Sequence, residues 1–492
     1  MKRGDIPLKI SELKKSIKEF WNEYKNYKSG IVGLVLLIIL ASVAAGASLI
    51  TSVEDYNNWY NPTYWRENPV DAPPVWVNFF TSKKLPVHQV EFVSVEDFKY
   101  VEGEPTEGLR TYSVNISYEF KYDVEPSDII IRILGAVAEG KNASITITVI
   151  RPDGHRINVY KAVSTFPELV GNYSAKTVSF SRTSKASSAI IKWASQFESE
   201  ENIREVSGYP PHGDWVIRVL FSKAEVGILV GEAELLRGEY QFSISVTFFD
   251  EESMLYGAKL IIAGSVYGWM GTDSLGRDLF VGIVWGCRLA LIIGVLTSVI
   301  STFVGVFYGV LSAYKGGLVD ELMQRIYEIV ASMPLFPILL ILSWKFGATV
   351  WNLALLMALF WWTGPVKTVR SMALQIKEET YVEAAKAMGA GTWRIVTKYI
   401  IGQIIPYAFA IMALNVPGAI LTEAGISFLL GGRGTREPTW GRILHDAAAA
   451  GATLKGLWWW VILPGVMITI TGLTFVLIGS ALDKILNPML KR

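Results

Sequence analysis

The sequence predicts an α-helical membrane protein of about six transmembrane helices, with an inserted all-β, sandwich-like domain outside the cytoplasm. Hydrophobic residues make up 51% of the 492-residue chain and the mean hydropathy is +0.33, which is more apolar than a typical soluble protein. Apolar runs of membrane-spanning length lie near the N-terminus and after residue 258. Between them, apolar and polar residues alternate as they do in half-buried strands.

Composition narrows the function classes. The formal net charge of +1 gives no indication of a nucleic-acid-binding protein. The single cysteine, Cys287, allows no internal disulfide. The four histidines are scattered without the spacing of metal ligands: His88, His155, His212 and His445. We therefore expect no metal site in this chain and no nucleic-acid partner.

The N-terminal region predicts an anchor with its start in the cytoplasm. Residues 1–29 carry eight Lys or Arg against four acids and have apolar residues at helical spacing, which indicates a cytoplasmic amphipathic helix. Residues 30–52 include a long uncharged run and are expected to form the first transmembrane helix. The basic segment before this helix favours an N-terminus inside the cell.

Residues 53–84 predict an extracytoplasmic interfacial segment, because Trp and Tyr favour the membrane–water boundary. The segment is rich in aromatic residues and proline: Trp59, Tyr60, Trp65, Pro73, Pro74, Trp76, Phe79 and Phe80.

Residues 85–257 predict an extracytoplasmic β-rich domain. Alternation of apolar and polar residues is clear in Val114–Tyr122, Ile145–Val149 and Tyr240–Phe248, and turn signals separate the strands. A helix is expected over 186–205. Asn115, Asn142 and Asn172 each begin an Asn-x-Ser pattern, which is consistent with a location outside the cytoplasm.

Residues 258–492 predict a core of five further transmembrane helices, at about 288–314, 325–342, 350–366, 403–422 and 458–482. A basic loop at 367–402 separates two of these spans, and its charge favours the cytoplasmic side. Inside the loop, Tyr381–Met388 reads as a short helix that Gly389 would end in a left-handed conformation.

This loop resembles the EAA loop of type I ABC-transporter permeases. The residues at the spacing of that loop are Glu383, Ala384, Ala385 and Gly389. In that family the short helix docks in a cleft of a cytoplasmic ATPase subunit and carries the motion of that subunit to the pore. The resemblance implies the type I permease fold and assigns these four residues to ATPase coupling.

Two other stretches resemble the C-type subunit of the dipeptide and oligopeptide permease group. The first is the sequence GTDSLGRD, with Gly271, Thr272, Asp273, Gly276, Arg277 and Asp278 in the positions of the family signature. The second resembles the family's E-A-x-x-S-F-L stretch and the W-G pair that follows it, here Glu423, Ser427, Phe428, Trp440 and Gly441. Glu423 is either a pore-mouth residue or an interfacial carboxylate.

The resemblance implies a permease subunit of an importer in the cell membrane, multi-pass, with both termini inside. Its expected partners are a second homologous permease, two ABC ATPase subunits, an extracytoplasmic solute-binding protein and membrane lipid. The substrates would be peptides, or oligosaccharides. This chain has no phosphate-binding G-x-x-x-x-G-K-[ST] loop, so we expect no catalytic residues and no bound cofactor here, with ATP and Mg in the partner ATPase subunits.

Three features depart from the family pattern. Gly402 stands where the family often has proline, Gly479-Ser480 replaces the usual Gly-Asp, and the β-rich insert has no counterpart in the common pattern. Two other functions remain open from the residues alone. One is a secondary transporter or channel that carries an ectodomain, although its spans would then be expected to hold paired charges. The other is a membrane-anchored receptor.

Overall fold

The computed structural model describes residues 18–486 except 103–108, 137–141, 171–172, 207, 209–212, 214, 251, 348 and 432–436. Two compact units make up the chain. The first, the permease unit, comprises Met1–Tyr60 and Leu279–Arg492, and the second, the β unit, comprises Asn61–Asp278. Most of the predicted N-terminal amphipathic helix, the Asn172 pattern and His212 lie outside the described residues.

The permease unit begins with a helical segment at 18–24, followed by α1 (Lys28–Ala45), α2 (Ala47–Ile50) and α3 (Val53–Asn57). Tyr24 is buried against Ala481 and Ile485 near the end of the chain. Its hydroxyl donates to the Gly30 carbonyl at 2.9 Å. The N-terminal helical segment therefore packs on the last helix of the same unit.

The β unit contains two five-stranded sheets. Its strands are β1 (Gln89–Ser94), β2 (Lys99–Glu102), β3 (Arg110–Phe120), β4 (Asp128–Ala136), β5 (Ala143–Ile150), β6 (Arg156–Ser164), β7 (Glu168–Val170), β8 (Tyr173–Ser179), β9 (Gly238–Phe248) and β10 (Met254–Ala263). The helices α4 (Ser184–Ala194), α5 (Glu200–Val206) and α6 (Trp215–Phe221) lie between β8 and β9. The predicted helix over 186–205 is thus divided between α4 and α5.

Alternating side chains from both sheets form the core of the β unit. The order is β1-β10-β4-β8-β7 in one sheet and β2-β3-β9-β5-β6 in the other, and these neighbours pair antiparallel. On β3, Ile116, Tyr118 and Phe120 are buried while the residues between them are exposed. They share one hydrophobic cluster with Ile129 and Ile131 of β4, from the other sheet. The two faces thus enclose one core, as in a sandwich.

The predicted boundary between β-rich domain and membrane core, at residue 257, lies inside β10. This strand runs to Ala263, between β1 and β4, and the β unit continues to Asp278. The run Leu260–Ala263 is fully buried, which explains why its apolar sequence resembled the start of a membrane span.

The remaining helices belong to the permease unit. They are α7 (Leu279–Lys315), α8 (Gly317–Ser332), α9 (Leu335–Phe346), α10 (Val350–Trp361), α11 (Thr363–Ile376), α12 (Thr380–Ala387), α13 (Thr392–Arg394), α14 (Ile401–Leu430), α15 (Trp440–Ala449) and α16 (Trp458–Leu486). A π-helical turn, Ile395–Ile400, joins α13 to α14.

Within the described part of the chain, four helices are long and apolar enough to cross a membrane, or five if the bent pair α8 and α9 is one span. The six-span arrangement therefore stays a prediction. The predicted third span, 325–342, is divided between α8 and α9, which meet at an angle of 79°. Met333 and Pro334 separate these helices, because proline lacks an N–H and disfavours a helical conformation in the residue before it.

Candidate functional site: the coupling loop and the motif clusters

Helix α12, which we call the coupling helix, carries the EAA residues and ends at a well-formed cap. Gly389 has φ of +82°, the left-handed conformation that glycine adopts at little cost. Its N–H donates to the Lys386 carbonyl at 2.9 Å, and the Ala390 N–H donates to the Ala385 carbonyl at 3.0 Å. This pair of hydrogen bonds is a Schellman motif, which satisfies carbonyls at the end of a helix. The predicted end of the helix at Gly389 is therefore observed.

The coupling helix has one buried face and one exposed face. Val382 and Ala385 are buried, and Val382 joins a cluster with residues of α7, α11 and the π-helical turn. Glu383, Ala384 and Gly389 are exposed, as is Met388, whose side chain is 80% exposed. The helix therefore presents a carboxylate, a small residue and a flexible thioether on a surface that is fixed from behind.

Two lysines, one before the coupling helix and one in its last turn, connect this helix to the end of α7. Lys377 donates to the Ala313 carbonyl at 3.3 Å, and the Lys386 ammonium lies 5.8 Å from the centre of the Tyr314 ring. Cations are favourable near the carbonyls of a helix C-terminus and over an aromatic face. These contacts hold the loop against the last turn of α7.

An ion pair joins α11, which leads into the coupling helix, to the bent pair. Arg370 donates from Nε and Nη2 to the two carboxylate oxygens of Asp320 at 2.8 and 2.5 Å. Ser312 of α7 also donates to Asp320, and Gln324 donates to the Ser312 hydroxyl at 2.8 Å. The paired geometry is the strong form of an arginine–carboxylate contact. Sequence reasoning did not identify this cluster, because its members are up to fifty-eight positions apart (Ser312 to Arg370).

Glu423, Ser427, Trp440 and Gly441 lie together where α14 meets α15. Glu423 is only 2% exposed and accepts a hydrogen bond from Ser427 at 2.7 Å. The Trp440 indole donates to the Ile283 carbonyl of α7 at 3.1 Å. A Cβ at Gly441 would lie 2.5 Å from the Ala424 Cα, so only glycine allows this approach. The E-A-x-x-S-F-L stretch and the W-G pair therefore hold α7, α14 and α15 in contact.

Phe428 has a different environment. It is partly exposed, its carbonyl lies 2.6 Å from Nδ1 of His445, and the two rings are 6.0 Å apart. Beside it, Arg442 bonds to Asp446 at 2.9 Å and to the Gly431 carbonyl. The end of α14 is thus held by polar side chains of α15.

The GTDSLGRD residues belong to the β unit and are described apart from the coupling loop. Asp273 and Arg277 form a buried ion pair at 2.5 Å. Burial raises the pKa of the Asp273 carboxyl, and the Arg277 guanidinium opposes this. Gly271 and Gly276 both have positive φ, at 77° and 76°, as expected for tight turns.

The same motif ties together the two stretches of chain at which the β unit begins and ends. Ala72 and Thr272 exchange two hydrogen bonds, from the Ala72 N–H to the Thr272 hydroxyl and from the Thr272 N–H to the Ala72 carbonyl. Asn68 donates to the Gly276 carbonyl at 2.9 Å. Asp278 forms a β-bridge with Thr272. We call this paired region, 68–72 with 271–278, the neck.

A cavity of about 210 Å³ lies beside the bend of α8 and α9. Its lining is mainly apolar or small: Val330, Ala331, Met333, Leu335, Phe360, Trp361, Thr363, Gly364 and Asn415. The Thr363 hydroxyl already donates to the Phe360 carbonyl, whereas Asn415 brings a carboxamide to the cavity from the middle of α14. Sequence reasoning missed Asn415, although a carboxamide inside a long apolar helix is a usable signal. Within the described ranges, no group of three His, Cys, Asp or Glu residues could hold a metal ion.

Comparison with known proteins agrees with the motifs. Residues 302–492 match the family described as binding-protein-dependent transport system inner membrane component. The chain is 35% identical over 226 residues to the dipeptide transport system permease protein DppC of Bacillus subtilis, which covers 46% of this chain and 69% of that protein. It is also 35% identical to the oligopeptide permease protein OppC of Haemophilus influenzae, over 45% of this chain and 70% of that protein.

A third relative, the glutathione transport system permease protein GsiD of Pectobacterium atrosepticum, is 29% identical over 50% of this chain and 84% of its own length. The family comprises transport permease subunits rather than enzymes, and its members are multi-pass proteins of the cell membrane. On the evidence of its motifs, of the helices that carry them and of these similarities, the chain belongs to the dipeptide and oligopeptide permease family of type I ABC transporters.

Proposed function

We propose that this chain is a permease subunit of an ABC importer that moves peptides into the cell. It pairs with a second homologous permease to enclose the path, binds two ATPase subunits that hold ATP and Mg, and receives substrate from an extracytoplasmic solute-binding protein. The observation that carries this proposal is the coupling helix, which exposes Glu383 and Ala384 while Val382 and Ala385 are buried behind them.

The contacts of the coupling helix suggest how ATPase motion reaches the membrane helices. A movement of α12 is passed to α11 by the chain itself, and from α11 to α8 through the Arg370–Asp320 pair. The bend between α8 and α9 allows α8 to change its tilt without moving α9 as a rigid extension. Nucleotide drives transport only if it favours one of the two conformations, because a ligand with equal affinity for both shifts nothing.

The cavity at the bend is our candidate for part of the substrate path. A peptide backbone needs hydrogen-bond donors and acceptors when it leaves water, and the Asn415 carboxamide supplies both. The relatives named for dipeptide, oligopeptide and glutathione transport support peptides over oligosaccharides.

The β unit is assigned to the extracytoplasmic side, with both chain termini inside the cell. The basic residues of 1–29 and of the 367–402 loop support this orientation. We propose that the β unit docks the solute-binding protein or the partner permease, since the common permease pattern has no equivalent of it.

The experiment that tests the proposal is a mild-detergent purification of the tagged full-length chain, with identification of every protein that co-purifies. We expect a second permease and one or two phosphate-loop ATPases. A lone chain or a homo-oligomer, also after gentle cross-linking, would favour the channel or receptor function instead.

A further inference from the structure

Three large aromatic side chains of the β unit are almost fully exposed. Phe79, Phe80 and Trp269 are 84%, 81% and 73% exposed, respectively. Trp76 lies beside them, with its ring edge-on to Phe80 at 6.2 Å. A patch of this kind on a folded domain marks a contact surface, because isolated exposed apolar residues are common but clusters are not. We call these four residues the aromatic pad.

The pad is held in place by two stretches that are far apart in sequence. The Trp76 indole donates to the Trp269 carbonyl at 2.9 Å. The backbone adds two more bonds, from Val75 to Gly268 at 3.0 Å and from Tyr267 to Pro73 at 2.8 Å. The pad therefore adjoins the neck, at which the chain enters and leaves the β unit.

The loop that carries the two phenylalanines is closed by side-chain contacts. Asn78 and Leu85 exchange two hydrogen bonds across it, at 3.0 and 3.1 Å. Lys84 and Asp123 also exchange two, at 2.8 and 3.0 Å, which fastens the loop to the turn after β3. The aromatic side chains thus protrude from a braced loop, and their exposure does not come from a frayed segment.

The chain itself limits how far the pad can lie from the membrane. Trp269 precedes Leu279, where the membrane-length helix α7 begins, by only ten residues. Even fully extended, such a segment spans at most about 35 Å. Lys83 and Lys84 follow Phe80 after two residues, so that two cations lie close to the aromatic residues in sequence. Aromatic rings with adjacent lysines suit the headgroup region, where an apolar body meets anionic and polar groups.

We propose that the aromatic pad inserts into the lipid headgroup region of the leaflet next to the β unit. The pad would give the β unit an attachment to the bilayer in addition to its covalent connections to the membrane helices. The inference does not depend on the transported substrate or on the ATPase partners, because it requires only that α7 crosses the membrane.

A spin label at position 80 tests the proposal directly. Phe80→Cys is made in the full-length chain with Cys287→Ser, labelled, and reconstituted in vesicles of mixed phosphatidylcholine and phosphatidylglycerol. Collisions of the label with apolar oxygen and with a water-soluble nickel chelate are then measured. The control is Val163→Cys on β6, which is also well exposed. Across the sheet, Val163 pairs with Ser144, Ser144 with Thr247, and Thr247 with Thr111. Thr111 lies toward the end of β3 opposite Phe120, whereas the loop that carries Phe80 is fastened to the turn after Phe120.

If the pad lies in lipid, the ratio of oxygen to nickel collisions will be severalfold higher at position 80 than at position 163. A second comparison uses detergent-free lipid discs that are too small to extend beneath the β unit. The nickel chelate should reach the position-80 label less readily in vesicles than in these discs. An equal ratio at the two positions would overturn the proposal. Protection of position 80 from both reagents would also overturn it, since that result indicates a covering protein surface.

Discussion

At the residue scale, the coupling helix depends on the conformation of Gly389. The positive φ and the N–H of this residue are both used, the first to reverse the chain and the second to bond the Lys386 carbonyl. Among the residues that the structure describes, none lies within 4 Å of a Cβ placed on Gly389. The constraint is therefore one of the backbone alone.

Substitution Gly389→Pro tests that constraint. Proline removes the N–H and fixes φ near −65°, so we expect the helix cap to be lost and the folded loop to be destabilised by about 1–3 kcal/mol. ATPase activity should persist while uptake falls severalfold, measured side by side in proteoliposomes. The matched control is Gly391→Ala, where φ is −67° and a Cβ meets nothing. Loss of membrane insertion in Gly389→Pro would mean that the loop is needed for folding instead.

Asn415 offers a second test at the residue scale. The change Asn415→Leu keeps the approximate volume and removes the carboxamide from the cavity at the bend. If Asn415 contacts the peptide, uptake should weaken through a higher apparent KM with little change in basal ATPase activity. Phe409→Leu, an exposed position on the same helix, is the control. Unchanged uptake kinetics in Asn415→Leu would remove the residue from the substrate path.

At the element scale, the bent pair and the coupling helix are connected through a few polar contacts. The Asp320 carboxylate accepts hydrogen bonds from both Arg370 and Ser312, so that α7, α8 and α11 meet at this group. The side chains of Asp320 and Arg370 are 14% and 32% exposed, and partial solvent screening therefore moderates the strength of their attraction.

The ion pair predicts a coupling defect. Asp320→Asn keeps the shape of the side chain and removes its charge. We expect this change to weaken the interaction with Arg370 by about 1–2 kcal/mol and to lower uptake more than ATPase activity. The exchange Asp320→Arg with Arg370→Asp should recover part of the uptake, whereas Arg325→Asp, at an exposed pair on the same helix, should change little. If the single and exchanged variants are equally defective, the pair has a purely local structural role.

Sequence reasoning succeeded where the signal is local. Gly389 after an alanine-rich segment predicts a helix end, and the alternation on β3 and β9 predicts paired strands. It was less accurate where hydrophobicity has two causes. The buried strand β10 resembles the start of a span, and an apolar count over 325–342 does not register the bend at Pro334. The Asp320–Arg370 pair has no local signal, because tertiary packing alone brings the two residues together.

At the scale of the whole molecule, the neck brings together the two stretches of chain at which the β unit begins and ends. The two ends of the β unit lie side by side, with the Tyr267 N–H 2.8 Å from the Pro73 carbonyl. The chain thus enters and leaves the β unit at nearly one point. An insertion at such a point places little strain on the surrounding chain.

The closeness of these two stretches also shows where most of the β unit can be deleted. Replacement of residues 74–266 by a short Gly-Ser linker should leave the neck closed, since the ends already meet. We expect the shortened chain to co-purify with its permease and ATPase partners but to show reduced uptake, because the proposed docking surface is gone. Uptake at the full-length rate would contradict a docking role for the β unit.

Photo-cross-linking from the coupling helix tests whether this helix docks in an ATPase subunit. A photoreactive amino acid is placed at Ala384, which is exposed beside Glu383, and the captured protein is identified in native membranes. We predict capture of a phosphate-loop ATPase, with a yield that changes when a nonhydrolysable nucleotide is added, and no such product from the buried neighbour Ala385. Capture of lipid or of unrelated proteins from Ala384, with no ATPase in any nucleotide state, would show that the coupling helix does not dock in an ATPase subunit.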